Sequence, residues 1–284
     1  MGRRYDTISL LTDYGHADEF VGVVKSVIRD LAPHVVTIDL AHDLPPFDVR
    51  AGALALARCI PYVASGLVIA IVDPGVATDR AAVAIEVAGG EGVLLGPDNG
   101  LLAPAVALAG GAGRAVALTN PTYQLPAPGP TFAGRDVFAP AAAHLANGVD
   151  LAELGVPLDP DLLRPGIVPL TRREGDTVVG EVLWVDHFGN AQVNVDPDEI
   201  NGLGERIGVT IGGARRVARR VAAFAALGPG ELGLIVDSYG LLALCLDRGS
   251  AADELGLAAG AEVRFAEPGG PDEGRSGTPV AFVK

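Results

Sequence analysis

The chain has 284 residues, 49% of them hydrophobic, with 35 acidic against 21 basic side chains and a formal charge of −14. That length and apolar content suffice for one large domain or two of ordinary size with packed cores. The acidity, with Lys25 and Lys284 as the only lysines, argues against nucleic acid as a partner, because such binding rests on basic side chains neutralising phosphates. No apolar run approaches the ~20 residues that span a bilayer, and Met1-Gly2-Arg3-Arg4 is not followed by a signal-type apolar stretch. No membrane association and a cytoplasmic location are therefore expected. Cys59 and Cys245 lie far apart in apolar segments, which reads as reduced core thiols rather than a disulfide. His16, His34, His42, His144 and His187 show no paired ligand spacing, so no metal site is expected.

Taken in order, Thr7 to Leu11 reads as a strand, Thr12-Asp13-Tyr14-Gly15 as a polar turn, and Val21 to Leu31 as an amphipathic helix. Asp13 in that turn is either an ordinary turn or capping aspartate or a carboxylate for two ribose hydroxyls. Val35 to Leu40 reads as a second strand, and His42 to Asp48 as a loop made rigid by Pro45 and Pro46. A helix follows from Val49 to Ile60. Phe47 offers a stacking face or simple packing. Leu67 to Val72 is an aliphatic, β-branched run expected as a central strand covered on both faces, halted at once by Asp73-Pro74-Gly75. In an open α/β sheet the crevice beyond the carboxyl ends of the strands holds the ligand. That places Asp73 at a pocket rim, with Arg80 seven positions on and able to return to it.

Ala82 to Val87 and Gly92 to Leu95 read as strands joined by a glycine turn, and Gly96-Pro97-Asp98-Asn99-Gly100 opens a helix from Leu101 to Leu108. The recurrence of strand, polar turn and helix predicts an α/β domain with a mostly parallel sheet. No G-x-G-x-x-G joins the first strand to the first helix, which disfavours a nicotinamide enzyme. Ala115 to Leu118 reads as a further strand, then a proline-rich segment closes at Thr131-Phe132-Ala133-Gly134-Arg135-Asp136 and a helix runs from Val137 to Asn147. Domain limits are set at 1–157 for the α/β domain, 158–169 for a proline-punctuated linker, and 170–284 for a compact all-β, barrel-like domain of short strands. In the latter, Arg215 to Ala226 is open to either strand or helix, with strand preferred. Two turns there carry polar groups, Asp186-His187-Phe188-Gly189-Asn190 and Asp237-Ser238-Tyr239-Gly240. Spacing alone does not separate a pocket wall from ordinary hairpin turns.

The ordered set Thr12-Asp13-Tyr14-Gly15, Pro46-Phe47-Asp48-Val49, Val72-Asp73-Pro74-Gly75-Val76 with Arg80, Gly96 to Leu102, Phe132 to Pro140, Asp186 to Asn190 and Asp237 to Gly240 spans nearly the whole chain. Together these motifs resemble the S-adenosyl-L-methionine (SAM) hydrolases that form adenosine, also called SAM hydroxide adenosyltransferases, relatives of the fluorinase and chlorinase. The resemblance implies a Rossmann-like N-terminal domain, a C-terminal β-barrel, and a homotrimer with active sites between one subunit's N-domain and its neighbour's C-domain. SAM is implied as substrate rather than cofactor, with adenosine and L-methionine as products. Asp13 would then bind the ribose diol, and Phe47 and Phe132 would line the adenosine. Asp186, Phe188, Asn190, Ser238 and Tyr239 would complete the site from the neighbour, Asp186 taking the methionine amino group and Ser238 its carboxylate.

In that family an Asp, an Arg and a His surround the attacking water. Asp73 and Arg80 match the first two, whereas Ala133 stands where the family has the His of Thr-Phe-His-Gly-Arg-Asp. Alanine offers no side-chain hydrogen bond, so reduced turnover is expected. Two alternatives remain open: a chloride-using halogenase, and a non-catalytic SAM- or adenosine-binding protein. Against the halogenase, the fluorinase lacks an acidic side chain at the position of Asp73 and carries an inserted loop where this chain has a short glycine turn. A fixed carboxylate repels a halide.

Overall fold

A computed structural model describes residues 4–269, which divide into two compact units between Val168 and Pro169. The first unit contains the strands β1 (Thr7–Thr12), β2 (Val36–Ala41), β3 (Leu67–Ile71), β4 (Ala82–Val87), β5 (Gly92–Pro97), β6 (Ala112–Ala117) and β7 (Val156–Leu158). They form one sheet in the order β2-β1-β3-β5-β4-β6-β7. β2, β1, β3 and β5 are mutually parallel, β4 is reversed, and β6, antiparallel to β4, runs with the parallel set again. The reversal follows from chain length. Only Ala88–Glu91 separates β4 from β5, with Gly89 and Gly90 both at positive φ, and a parallel crossover needs a dozen residues or more.

Strand alternation distributes the central strand between two cores. Leu67, Ile69 and Ile71 face the cluster containing Val24 and Ile28 of α1 (Phe20–Leu31) and the alanine-rich α4 (Ala139–Ala146). Val68, Ala70 and Val72 face Ala53 and Leu56 of α2 (Val49–Cys59) and Ala105 of α3 (Ala103–Leu108). Every residue of β3 is buried, and each fully buried Leu or Ile contributes on the order of 1.5–3 kcal/mol. Helices thus cover both faces, and the carboxyl ends of β1, β3 and β5 are left open for ligand chemistry.

Of the stretch read as a linker at 158–169, all but Pro169 belongs to this first unit. Leu158 pairs with Ala115 in β7–β6, Pro160–Leu162 forms a short 3-10 turn capped by Asp159, and the Arg164 N–H donates to Asp98 at 2.8 Å. Proline spacing reports an extended backbone but not what it packs against.

The second unit has β8 (Arg172–Glu174), β9 (Thr177–Val185), β10 (Ala191–Val193), β11 (Arg206–Ile211), β12 (Ala214–Arg220), β13 (Gly233–Val236), β14 (Leu242–Cys245), a short helix α5 (Ala251–Leu255) and β15 (Glu262–Ala266). The ring β9-β10-β14-β13-β12-β11-β15 closes on itself through the β9–β10 pairing, giving a seven-stranded barrel with β8 added beside β9. Closure removes the free strand edges. Its interior is filled by Val182, Val193, Val209, Leu234, Leu244, Val263 and Phe265, all essentially inaccessible. Gly212 and Gly213, at φ 53° and 82°, make the two-residue turn between β11 and β12, so β12 begins at Ala214. It ends at Arg220, lying between β11, to which it is antiparallel, and β13, with which Arg219 and Arg220 make two parallel pairs. The Arg-rich segment is a strand, as preferred, and Phe224–Ala226 is a separate 3-10 turn. Cys59 and Cys245 are both free, and burial pushes the Cys245 thiol up to about 11.

Candidate active site

Three strand ends build the cluster in the first unit. β1 and β3 lie in register with Thr12 opposite Ile71, and the Asp13 N–H donates to the Ile71 carbonyl at 3.2 Å. Asp13 and Asp73 therefore leave adjacent strands at nearly the same level. β5 supplies Asn99, whose side-chain amide donates to the Val72 carbonyl at 2.9 Å while its Oδ1 accepts the Leu101 N–H at 3.1 Å. The residue before Asp73 is thereby fixed from the neighbouring strand.

Asp73 and Arg80 meet as a fork. Arg80 Nε donates to Asp73 Oδ1 at 2.8 Å, and Nη2 engages Oδ2. Side-chain exposures of 5% for Asp73 and 12% for Arg80 make this a shielded pair, in which opposite charges interact far more strongly than at a wet surface. The loop that returns Arg80 is tied internally: the Val76 N–H donates to the Asp73 carbonyl at 3.2 Å and the Thr78 hydroxyl to Gly75 at 2.6 Å. Ala77 in this loop holds φ 65°, a left-handed conformation costing a non-glycine residue on the order of 1–3 kcal/mol. The Arg80 guanidinium also lies 5.9 Å from the Phe138 ring centre.

Phe47 carries the same kind of strain, at φ 67°. Its N–H donates to Asp13 Oδ2 at 2.9 Å, and its ring is 73% exposed. The second loop thus binds the Asp13 carboxylate through its backbone and leaves an aromatic side chain uncovered. Phe132 completes an aromatic wall with Tyr14, at 5.8 Å, and Phe20, at 5.0 Å, both edge-on. Arg135 lies over the Phe132 ring at 5.0 Å and pairs with the buried Asp136 at 2.6 and 3.0 Å, so these two charges anchor the loop.

Ala133 is buried with the α1/α4 core, at the start of a π-helical turn, Gly134–Phe138, that leads into α4. Such wide turns concentrate at functional sites. A methyl group on Gly134 would stand 2.6 Å from the Tyr14 hydroxyl, so the absence of a side chain there admits the phenol. Burial first, then the charges of Asp13 and Asp73, raise the Tyr14 pKa well above the usual tyrosine range, and the phenol stays protonated. Sequence reasoning had treated Tyr14 as part of a turn; aromatic residues in a turn motif give no sign of which way the ring points.

In the second unit, the five remaining predicted residues, Asp186, Phe188, Asn190, Ser238 and Tyr239, line one cavity of about 510 Å³ together with Trp184 and Phe224. The two loops that carry them are built alike. Asp186 Oδ1 accepts the N–H groups of Phe188 at 2.9 Å and Asn190 at 2.8 Å; Asp237 Oδ1 accepts those of Tyr239 at 2.9 Å and Leu241 at 3.2 Å. Gly189 and Gly240 follow at φ 82° and 84°. A Cβ on Gly189 would come within 2.1 Å of the Ser250 hydroxyl, so glycine is required there twice over. Asp186 Oδ2 also accepts from the Asn190 amide at 2.8 Å. Its carboxylate therefore shapes its own loop first, with lone pairs on Oδ2 left for an ammonium ligand. Among the described residues, no group of three or more His, Cys, Asp or Glu side chains is arranged to hold a metal ion.

The chain matches the SAM hydroxide adenosyltransferase N-terminal domain over residues 8–155 and the C-terminal domain of the same family over residues 180–264. It is 45% identical to an (R)-S-adenosyl-L-methionine hydrolase of Salinispora tropica, covering 90% of this chain and 96% of the relative. A Thermus thermophilus protein of the same name is 42% identical over 91% and 98%. A fluorinase of Nocardia brasiliensis is more distant, 29% identical over 93% and 97%. The fold is similar to a crystal structure of a conserved protein from Thermotoga maritima, with a TM-score of 0.84 and 31% identity over 92% of this chain and 100% of that one. The chain belongs to the SAM hydroxide adenosyltransferase family.

Proposed function

We propose that this protein hydrolyses SAM to adenosine and L-methionine by attack of water on the ribose C5′. The observation that carries the reading is the shielded Asp73–Arg80 fork at the carboxyl end of the central strand. The sulfonium makes C5′ electrophilic and departs as a neutral thioether, so the leaving group needs no proton. The demand falls on the nucleophile, which must lie about 3–3.5 Å from C5′, in line with the C5′–S bond, and lose a proton. As the C5′–O bond forms and the C5′–S bond breaks, the electron pair of the latter stays on sulfur and a water proton passes to Asp73. Arg80 holds the carboxylate in one plane and stabilises the developing hydroxide by charge.

Asp13 receives the ribose diol and Phe47 and Phe132 the adenine. A homotrimer brings the Asp186, Phe188, Asn190, Ser238 and Tyr239 loops of one subunit to the Asp73 cluster of the next, where Asp186 holds the methionine ammonium and Ser238 its carboxylate. SAM is the substrate and no cofactor takes part. Ala133 leaves the water one hydrogen-bonding partner short, so turnover is slow. The reading places the protein in the cytoplasm, where SAM is made and used.

The halogenase reading is opposed by the Asp73 carboxylate and by the closer match to hydrolases than to fluorinases. Incubating the protein with SAM, with and without chloride, and separating the products tests both. Adenosine and methionine in equal amounts, with no 5′-chloro-5′-deoxyadenosine at any chloride concentration, is the expected result. SAM bound but never consumed would make this a binding protein, and a chlorinated nucleoside would make it a halogenase.

A further inference from the structure

His42 follows β2 directly, and its side chain is fully enclosed. Nε2 lies 3.0 Å from Asp39 Oδ1, and Nδ1 lies 2.8 Å from the Thr12 hydroxyl. The chain of contacts extends at both ends. Lys25 donates to Asp39 Oδ2 at 2.6 Å, and the Thr12 hydroxyl oxygen accepts the Tyr14 N–H at 3.2 Å. The His42 backbone adds a parallel link, its carbonyl accepting the Gly15 N–H at 2.7 Å.

Hydrogen counting fixes the directions. Burial pushes the Asp39 carboxyl up, but the hydrogen bonds from Lys25 and His42 outweigh it, and the group sits below the usual carboxylate range. An ionised Asp39 only accepts, so the hydrogen on the His42 ring belongs on Nε2. Nδ1 is then an acceptor, and Thr12 donates its one hydroxyl hydrogen to it while accepting from Tyr14. Each group in the series is satisfied once in this arrangement.

Residues 12 to 15 are thus held from two sides by one histidine, with Asp13 and Tyr14 between the two links. Its own N–H is fixed to β3 and its carboxylate accepts from Phe47. We propose that His42 is a positioning residue for the nucleoside half of the site, holding the Thr12–Gly15 turn in the conformation that aims Asp13 at the ribose diol. This rests on the assignment of Asp13 to the ribose. The Thr12 link, rather than the Asp39 link, transmits the side chain's effect, because of the two side-chain partners of His42 only Thr12 belongs to the turn.

The test compares the affinity of the full chain for adenosine with that for 2′,3′-dideoxyadenosine by titration calorimetry. Loss of the aim reduces the preference for adenosine and leaves dideoxyadenosine binding nearly unchanged, which general loosening of the fold would not do. Thr12→Val keeps the shape and removes the hydroxyl, and is expected to lower the preference about tenfold, the worth of a hydrogen bond to a charged group. His42→Asn retains an acceptor toward Thr12 and is expected to keep most of the preference; His42→Gln retains only the donor toward Asp39 and is expected to lose it. That pair decides the matter if Thr12→Val does not fold. An unchanged preference in folded Thr12→Val and His42→Gln, with the preference lost in Asp13→Ala, overturns the proposal and leaves the ribose assignment standing. A preference retained in Asp13→Ala overturns the ribose assignment, and the proposal with it.

Discussion

Asp73→Asn is expected to slow adenosine formation by roughly 10²- to 10⁴-fold, the range for loss of a general base, while SAM still binds. The substitution is nearly isosteric and keeps a carbonyl oxygen for Arg80 Nε, which donates to Oδ1 at 2.8 Å. It removes the proton acceptor and turns an NH₂ group toward the second guanidinium nitrogen. Arg80, only 12% exposed, is left half-paired in a shielded site, so a lower melting temperature is expected alongside the lost rate. Measuring SAM affinity and single-turnover rate on the same sample separates the two effects. Unchanged turnover in Asp73→Asn would remove Asp73 from the chemistry and leave the fork as a structural pair.

Ala133→His is expected to act in the opposite direction, raising turnover by as much as ~10²-fold, the lower end of what a positioned acid–base group contributes. Ala133 has φ −57° and ψ −28°, an ordinary right-handed conformation that a histidine adopts without backbone strain. Its neighbours Phe132 and Gly134 stand at the wall and turn described above. The larger side chain must fit a site that is 8% exposed, so some loss of stability, about 1–3 kcal/mol for overpacking, accompanies the gain. The signature is in the pH profile. Neutral imidazole is the form that accepts a hydrogen bond from water, so the added rate appears as pH rises through about 6.5 and is absent below it. The same rate at every pH in both proteins would mean that Asp73 and Arg80 activate the water unaided.

What was legible in the sequence was legible for identifiable reasons. Leu67 to Val72 is apolar on both faces, a run that suits a strand between two helical layers, so β3 and the strand end at Asp73 followed directly. The barrel loops were marked by Asp and Gly at fixed offsets, because the turn requires an acceptor at its start and a left-handed residue before its end. β8 escaped notice because Arg172–Glu174 is exposed throughout and has no alternation to detect. β7 was hidden by its proline, which is tolerated because Val156–Leu158 is an edge strand. His42 and Tyr14 carried no signal at all. A single histidine after a strand, or a tyrosine in a turn, becomes meaningful only when the partner from a neighbouring strand arrives. Phe47 was identified as a stacking candidate, but its left-handed backbone and its bond to Asp13 are properties of the folded loop.

Attack of water on the ribose carbon fixes where the new oxygen must appear. In water enriched in ¹⁸O, SAM is expected to yield unlabelled methionine and adenosine carrying one ¹⁸O at the 5′ position, read by mass spectrometry. Methylthioadenosine as the nucleoside product, or adenosine formed without label, would contradict it, because either would place bond breaking or the nucleophile somewhere other than at C5′ and water.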